Sequence, residues 1–173
     1  LSILLNVQVH REGKIWQQEY SKGKPLYDVK EVGVTDRTGT TVTFKPDDSI
    51  FLVTEYKFEI IAARLRELAF LNAGLQLNIT DKRIKLESGE FKHEEFFSKE
   101  GLKEFVEYLD NTRERLIDET IHITSEKAGV PVEIALHYNT SFTENIHSYV
   151  NNINTIEGGT HLTGFRRGLT RTL

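Results

Sequence analysis

Residues 58–74 of the chain, FEIIAARLRELAFLNAG, decide the fold. Their apolar side chains recur with the period of an α-helix and not with that of a strand. These side chains are Phe58, Ile61, Ala62, Leu65, Leu68, Ala69 and Leu71. Thr54 precedes the pattern as a predicted N-cap, and Asn-Ala-Gly at residues 72–74 is typical of a C-cap. The spacing therefore predicts one long amphipathic helix over residues 55–73.

Strand patterns lie on both sides of this helix. Apolar and polar residues alternate from Leu5 to Val9, and Arg-Glu-Gly-Lys at residues 11–14 has the composition of a hairpin turn. Further strands are predicted over residues 15–20 and 41–44, and alternation returns over residues 75–79. This first part of the chain, residues 1–97, therefore has the pattern of a sheet with one long helix.

A second unit is predicted over residues 98–173. Ser98 is predicted to cap a short helix whose apolar face consists of Leu102, Phe105, Val106 and Leu109. Strands are predicted over residues 121–124, 130–138 and 142–151. Thr160 then starts a last helix with one apolar stripe, formed by Leu162, Phe165, Leu169 and Leu173. The whole chain is thus predicted to be an α+β protein.

Composition excludes several classes of protein. The 173 residues contain no Cys, so disulfides and Cys-based zinc sites are excluded. No stretch approaches the roughly 20 apolar residues that a membrane-spanning helix needs. The net charge of -4 argues against a nucleic-acid-binding surface that covers the whole protein, but not against a local basic patch. The absence of Met and a first residue inside a strand pattern predict an interior piece of a longer polypeptide.

No pattern of catalytic residues or metal ligands stands out. The six histidines are scattered, and the chain contains no HExxH, no GxGxxG and no GxxxxGK[ST] motif. His137 and His147 lie on neighbouring predicted strands, where they either meet or are ordinary strand histidines. We therefore expect no catalytic residue and no metal ligand in this chain, and spacing alone indicates only an α+β protein.

Two local features are compatible with ligand binding. Residues 38–42, Thr-Gly-Thr-Thr-Val, form a small-residue strand entry that a flat ligand can approach closely, or a plain turn before a strand. The chain has no acid after Gly158, and Arg166, Arg167 and Arg171 lie together on the last helix. This helix face either contacts phosphates or is solvated.

Several segments resemble one known family. The longest is NNINTIEGGTHLTGFR at residues 151–166, which resembles a signature of the bacterial DNA gyrase B-subunit family. Residues 64–74, 104–109 and 143–146 continue the resemblance in order, and residues 11–14 and 38–40 fall where that family has a hairpin and an adenine-side strand. The B-type subunit of topoisomerase IV is the nearest alternative, although residues 154–160 resemble gyrase more.

The resemblance implies a fold and an activity. Residues 1–97 correspond to the C-terminal part of a GHKL ATPase domain, and residues 98–173 to most of a transducer domain with a ribosomal-protein-like β-α-β fold. The family couples ATP binding and hydrolysis, with Mg²⁺, to DNA strand passage and negative supercoiling. Implied partners are the gyrase A subunit in an A2B2 heterotetramer, a second B subunit and double-stranded DNA, in the bacterial cytoplasm at the nucleoid.

The resemblance also assigns residues to the nucleotide pocket. Thr40 lies at its adenine end, Val42 forms part of its apolar wall, and Arg11 guards the mouth where aminocoumarin inhibitors bind. The family's catalytic glutamate, Mg²⁺-binding asparagine, adenine-binding aspartate and glycine-rich lid are expected before Leu1, and the lysine that reaches the γ-phosphate after Leu173. The chain alone is therefore expected to be inactive and to bind no cofactor tightly.

For DNA, the resemblance implies that Arg166 points towards the hole through which the duplex passes, and that Arg167 and Arg171 add to the positive field. A further alternative accounts for the three arginines by nucleic-acid binding that does not involve ATP. In that case the chain belongs to a non-catalytic nucleic-acid-binding module that reuses the transducer fold.

Overall fold

The structure is a computed structural model that describes residues 1–172. These residues form eleven β-strands and three α-helices, so the predicted α+β class is confirmed. They divide into two compact units, of which the first is Leu1–Tyr56 and the second begins at Lys57. The domain boundary placed after residue 97 stays a prediction. Leu173, the last member of the predicted apolar stripe, lies outside the described residues.

The first unit is one antiparallel sheet. Its strands are β1 (Ser2–Arg11), β2 (Lys14–Ser21), β3 (Lys24–Pro25), β4 (Lys30–Val34) and β5 (Gly39–Pro46). Their order is β3-β2-β1-β5, and β4 pairs with β2 as well. Glu12 and Gly13, with φ of 54° and 80°, form the two-residue turn between β1 and β2. Two positive φ angles are what a tight hairpin turn requires, and the predicted hairpin is confirmed.

The sheet has two chemically different faces. The register of β1 with β2 and β5 places one set of residues on a mainly apolar face. This set is Leu5, Val7, Val9, Trp16, Gln18, Tyr20, Thr40, Val42 and Phe44. On the opposite face the Asn6 amide donates to Glu19 Oε1 at 2.7 Å, and the Gln8 amide donates to Gln17 Oε1 at 2.7 Å. Polar cross-strand pairs therefore hold one face, and the other offers apolar surface.

The second unit packs around its first helix. Its elements are α1 (Phe58–Leu71), β6 (Leu77–Lys85), β7 (Phe91–Phe96), α2 (Leu102–Leu109), β8 (Ile121–Lys127), β9 (Val130–Leu136), β10 (Tyr149–Val150), β11 (Ile153–Asn154) and α3 (Thr160–Thr172). The strands pair as three antiparallel hairpins, β6-β7, β8-β9 and β10-β11. The core of the unit is formed by Phe58, Ala62, Ala69 and Phe96, with Leu65, Leu77 and Ile79 packed against it.

Two predicted boundaries were wrong. The helix α1 begins at Phe58 after Lys57, and not after Thr54, because the buried Phe58 ring is the first side chain that reaches the core. The strand predicted over residues 142–151 is reduced to Tyr149–Val150. Before it, the Ser141 amide donates to Asn139 Oδ1 at 2.8 Å. Such local side-chain bonds favour turns over strand pairing.

The prediction that Ser98 caps α2 is wrong: the N-cap residue of α2 is Gly101, and no side-chain capping bond is present there. Ser98 instead stabilises the turn that leads into the helix. Its hydroxyl accepts from the Gly101 amide at 2.8 Å and donates to Glu104 Oε2 at 2.8 Å. The backbone carbonyl of Ser98 also accepts from the Gly74 amide at 2.8 Å, which joins the end of α1 to the start of α2. Gly101 has φ of 60°, and a Cβ atom there would lie 3.2 Å from the Ala73 Cβ. Only glycine therefore lets the two helix ends approach so closely.

A buried carboxylate marks an irregularity in β6. The pairing of β6 with β7 shifts register between Asp81 and Lys85. Asp81 Oδ1 accepts from the Arg83 backbone amide and from its Nε atom, both at 2.9 Å, and Oδ2 accepts from Nη2 at 2.7 Å. These hydrogen bonds, first from the side chain and then from the backbone of Arg83, lower the pKa of Asp81 from 3.8 to about 2.

We predict that Asp81 makes the stability of the second unit sensitive to acid. A carboxyl group whose pKa is lower in the folded state stabilises it above about pH 4, and this contribution is lost as the pH falls towards 2. The Asp81→Asn variant is expected to lose less free energy of unfolding between pH 4 and pH 2 than the parent chain. Urea titrations at both pH values test this, with Asp118→Asn, an exposed acid, as control. Equal losses in Asp81→Asn and the parent would contradict the prediction.

Candidate functional site

The three residues predicted to contact a nucleotide share one face of the first sheet. Thr40 pairs with Val9 and Val42 pairs with Val7, so both side chains of β5 lie on the mainly apolar face. Arg11 is two positions beyond Val9 on β1, and alternation places it on the same face. The structure therefore brings Arg11, Thr40 and Val42 to one end of one surface.

This surface is open in the structure. Val42 is 56% exposed, and Phe44 further along β5 is 52% exposed. Among the described residues β5 pairs only with β1, so it is an edge strand of this unit. The strip thus combines exposed apolar surface with a hydroxyl group and, at its end, a cation.

The backbone at the start of β5 explains the glycine there. Gly39 pairs with His10 and has φ of 154°, a conformation that side-chain-bearing residues rarely adopt. A Cβ atom at Gly39 would meet no atom within 4 Å, so space is not what selects glycine. The requirement comes from the backbone, which places Thr40 at the strand entry.

Arg11 is not fixed by buried contacts. It is exposed, and its Nε atom donates to Glu12 Oε1 at 3.0 Å, within the hairpin turn. An exposed pair of neighbouring residues contributes little to stability. The guanidinium is therefore free to reach a ligand at the end of the strip.

The arginines of α3 form a second exposed surface. Arg166, Arg167, Thr170 and Arg171 line a shallow pocket of about 340 Å³ on α3. At about 100° per residue, Arg167 and Arg171 lie opposite the half-buried Leu162, Phe165 and Leu169, and Arg166 flanks that stripe. Arg166 Nη2 donates to Glu144 Oε2 at 2.7 Å, and both side chains are more than half exposed. Arg167 and Arg171 have no acidic partner among residues 1–172. The helix thus presents three cations, one of them partly neutralised.

The two histidines considered from the sequence have separate partners. His137 directly follows β9, its side chain is buried, and its Nε2 atom bonds to Asp110 Oδ2. His147 Nε2 bonds to Asn145 Oδ1 at 3.1 Å. Asp110 also accepts from Asn139 Nδ2 at 2.8 Å. Burial favours protonation of Asp110, but the bonds from Asn139 and His137 outweigh it and hold its pKa below the ordinary value. The cluster joins the end of α2 to the end of β9.

The structure also shows a site that sequence reasoning missed. A half-open pocket of about 370 Å³ lies between α1, α2 and the β10-β11 hairpin. Its lining includes Glu67, Phe70, Phe105 and Tyr149. Phe70 and Phe105 stack with ring centroids 5.1 Å apart, and Tyr149 donates to Glu67 Oε1 at 2.6 Å. Tyr149 and Glu67 are 82 residues apart in the chain, so no local pattern in the sequence points to this pocket.

Metal and membrane sites are not found in the described part of the chain. Within residues 1–172, no three His, Asp or Glu side chains cluster closely enough to hold a metal ion. The structure describes no helix that is long and apolar enough to span a membrane.

A family model and two relatives that match the chain all carry the description DNA gyrase B. The family model described as DNA gyrase B matches residues 101–173. The chain is 58% identical to the DNA gyrase B subunit of Eisenibacter elegans, over all of the chain and 36% of that protein. It is 52% identical to the DNA gyrase B subunit of Halalkalibacterium halodurans, over all of the chain and 26% of that protein. The chain thus spans well under half the length of these curated relatives.

Solved structures agree with these relatives. The chain superimposes with a TM-score of 0.86 and 36% identity on the 43K ATPase domain of Thermus thermophilus gyrase B, solved in complex with an aminocoumarin. That match covers 99% of this chain and 46% of the other. The B-subunit of the DNA gyrase from Myxococcus xanthus has the same fold, with a TM-score of 0.85, 23% identity, and 98% and 48% of the two chains covered.

Proposed function

Because the chain belongs to the DNA gyrase B family, we propose that it forms the part of a gyrase B subunit that links the ATP site to DNA transport. In this proposal residues 1–97 contribute to a GHKL ATPase domain and residues 98–173 to a transducer domain. The subunit is a type II DNA topoisomerase component that uses ATP and Mg²⁺ to pass one duplex through another and introduce negative supercoils. Its partners are the gyrase A subunit, a second B subunit and double-stranded DNA, at the bacterial nucleoid.

The observation that carries the proposal is the shared face of Arg11, Thr40 and Val42. Val42 offers an apolar wall to an adenine ring, the Thr40 hydroxyl can donate or accept a hydrogen bond, and Arg11 lies at the end of the strip. The match to an aminocoumarin-bound ATPase domain supports the same assignment. The chain's contribution to the ATP site is therefore proposed to be its adenine side.

The hydrolytic step is assigned to none of residues 1–172. The resemblance places the family's catalytic and Mg²⁺-binding groups outside this sequence. Residues 1–172 alone are therefore proposed neither to hydrolyse ATP nor to bind it tightly.

The basic side of α3 is proposed to face DNA. Cations that neutralise phosphates add affinity that decreases with salt and does not depend on base sequence. Arg166, Arg167 and Arg171 lie together on exposed helix surface, which suits contact with a passing duplex rather than recognition of a base sequence.

We predict that Thr40→Val in the full-length subunit weakens binding of a non-hydrolysable ATP analogue. The substitution keeps the shape of the side chain and removes its hydroxyl, and a lost hydrogen bond in a closed site costs about 1–3 kcal/mol. Calorimetric titration measures the change in Kd. Thr41→Val is the matched control, since Thr41 pairs with Gln8 on the opposite face of the same strands. Unaltered affinity in Thr40→Val would show that Thr40 only builds the strand.

We predict that Arg166→Ala in the full-length subunit lowers the stimulation of ATP hydrolysis by DNA while hydrolysis without DNA stays near the wild-type rate. One lost phosphate contact lowers the slope of log affinity against log salt by about 0.9. ATPase assays and DNA titrations across a salt series test both effects. Lys127→Ala, which removes a cation from the β8-β9 hairpin, is the control. Stimulation that is unchanged at every salt concentration would rule out a DNA-facing role.

We predict that Glu144→Gln has the opposite effect on DNA affinity. Glu144 pairs with Arg166 and competes with phosphate for its guanidinium. An exposed ion pair contributes at most about 1 kcal/mol, so affinity for DNA at low salt is expected to rise by roughly two- to five-fold. The gain should vanish when Glu144→Gln is combined with Arg166→Ala. The same gain in both backgrounds would mean that the charge of Glu144 acts on DNA directly and not through Arg166.

A further inference from the structure

The helix α1 holds the β10-β11 hairpin through side chains. Tyr149 on β10 donates its hydroxyl to Glu67 Oε1 at 2.6 Å. Asn152 in the turn is held twice: its carbonyl accepts from Arg64 Nη2 at 2.7 Å, and its amide donates to Asn72 Oδ1 at 2.9 Å. Glu67 Oε2 in turn bonds to Arg64. We call these five residues the α1 clamp.

The hairpin that the clamp holds is too short to be stable by itself. Its strands have two residues each, Tyr149–Val150 and Ile153–Asn154. Asn151 and Asn152 form its turn with φ of 49° and 65°, a conformation that asparagine tolerates better than most residues. Isolated two-stranded hairpins are only marginally stable even when longer. The position of this hairpin therefore depends on the contacts that α1 supplies.

The hydrogen bond between Tyr149 and Glu67 in the α1 clamp joins a half-buried neutral donor to a carboxylate. Tyr149 is half-buried, with its ring centroid 6.4 Å from that of Phe105. Burial, and then the neighbouring Glu67 carboxylate, raise the pKa of the Tyr149 phenol far above its ordinary value. The phenol is thus a neutral donor throughout the physiological pH range. A hydrogen bond from a neutral donor to a carboxylate is stronger than one between two neutral groups.

Hydrogen bonds continue from the hairpin to α3. The Thr155 amide donates to the Ser148 carbonyl at 2.8 Å, and the two hydroxyl oxygens lie 2.6 Å apart. Thr155 Oγ1 also lies 3.2 Å from His161 Nε2, in the first turn of α3. A chain of hydrogen bonds therefore runs from Glu67 to Tyr149, and from the neighbouring Ser148 through Thr155 to His161. The only covalent step in it is the peptide bond between Ser148 and Tyr149. This chain of bonds ends on the helix that carries Arg166.

We propose that Glu67 and Tyr149 are positioning residues that transmit displacements of α1 to α3, and so link nucleotide state to the arginine face. This inference rests on the function proposed above. Neither residue lies on the strip formed by Arg11, Thr40 and Val42 or on the arginine face, so neither touches ATP or DNA in that proposal.

The test uses the full-length B subunit assembled with its A subunit. Tyr149→Phe removes one hydroxyl. Glu67→Ala removes the carboxylate, and alanine is a strong helix former at this position inside α1. Each variant is expected to lower the ratio of ATPase rates with and without DNA by about three- to ten-fold, the size of the net contribution of one typical hydrogen bond. The KM for ATP and the rate without DNA are expected to stay within two-fold of the wild type, a margin of about 0.4 kcal/mol. Glu67→Gln, which keeps an acceptor for Tyr149, should retain most of the ratio.

The double variant and a control separate the clamp from general damage. Tyr149→Phe combined with Glu67→Ala should lower the ratio no further than the stronger single variant, since both remove the same bond. Tyr108→Phe is the control, because its hydroxyl lies on another wall of the same pocket, 3.4 Å from Arg66 Nη1. An unchanged ratio, rates that fall together with and without DNA, or effects of the two substitutions that multiply would each overturn the proposal.

Hydrogen exchange distinguishes failure of the clamp from failure of the proposed function. Mass spectrometry of peptides covering residues 148–156 should show faster exchange in Tyr149→Phe than in the wild type, and no change in Tyr108→Phe. If the wild-type complex shows no stimulation of ATPase by DNA, the proposed function is wrong, whereas faster exchange still supports the clamp as a structural link. Unchanged exchange in Tyr149→Phe overturns the clamp whatever the ATPase result.

Discussion

The packing of α1 is the constraint on which the second unit depends. Phe58, Ala62, Leu65 and Ala69 form one stripe along the helix, and this stripe meets Phe96, Leu77 and Ile79 of the β6-β7 hairpin. The two alanines are only 2% exposed, and their small size lets the hairpin lie close to the helix backbone. Once this stripe is buried, the rotation of α1 is fixed, and every other side chain on the helix has a set direction.

Two further stripes of α1 then contact two other elements. Phe70 stacks on Phe105 of α2, and Glu67 with Arg64 reaches the β10-β11 hairpin. At about 100° per residue, these positions follow one another around the helix. One helix thus contacts the β6-β7 hairpin, α2 and the β10-β11 hairpin. The two hairpins form separate sheets, so α1 and not strand pairing sets their placement. A change in the rotation of α1 alters all three contacts at once.

The sequence was sufficient where structure is local. The hairpin at residues 11–14 and the apolar face of α1 follow from turn chemistry and periodicity, which act over a few residues. Capping residues did not mark the helix starts: α1 begins after Lys57 and α2 after Gly101. Alternation along the strands also predicts that Thr40 and Val42 share a face. That Arg11 lies on the same face as Thr40 and Val42 follows only from the register of β1 with β5, in which Val9 pairs with Thr40. The sequence alone does not determine this register.

Long-range pairing was the part that the sequence could not supply. Tyr149 has the pattern of an ordinary strand residue, and its bond to Glu67 joins positions 82 residues apart. The strand predicted over residues 142–151 was too long because apolar residues such as Ile146 suggested pairing, whereas Asn139 and Ser141 turn the chain locally. The shortness of β10 has a consequence for motion. A hairpin with few bonds of its own follows whatever holds it, so the element least able to fold alone is the one best suited to pass on a displacement of α1.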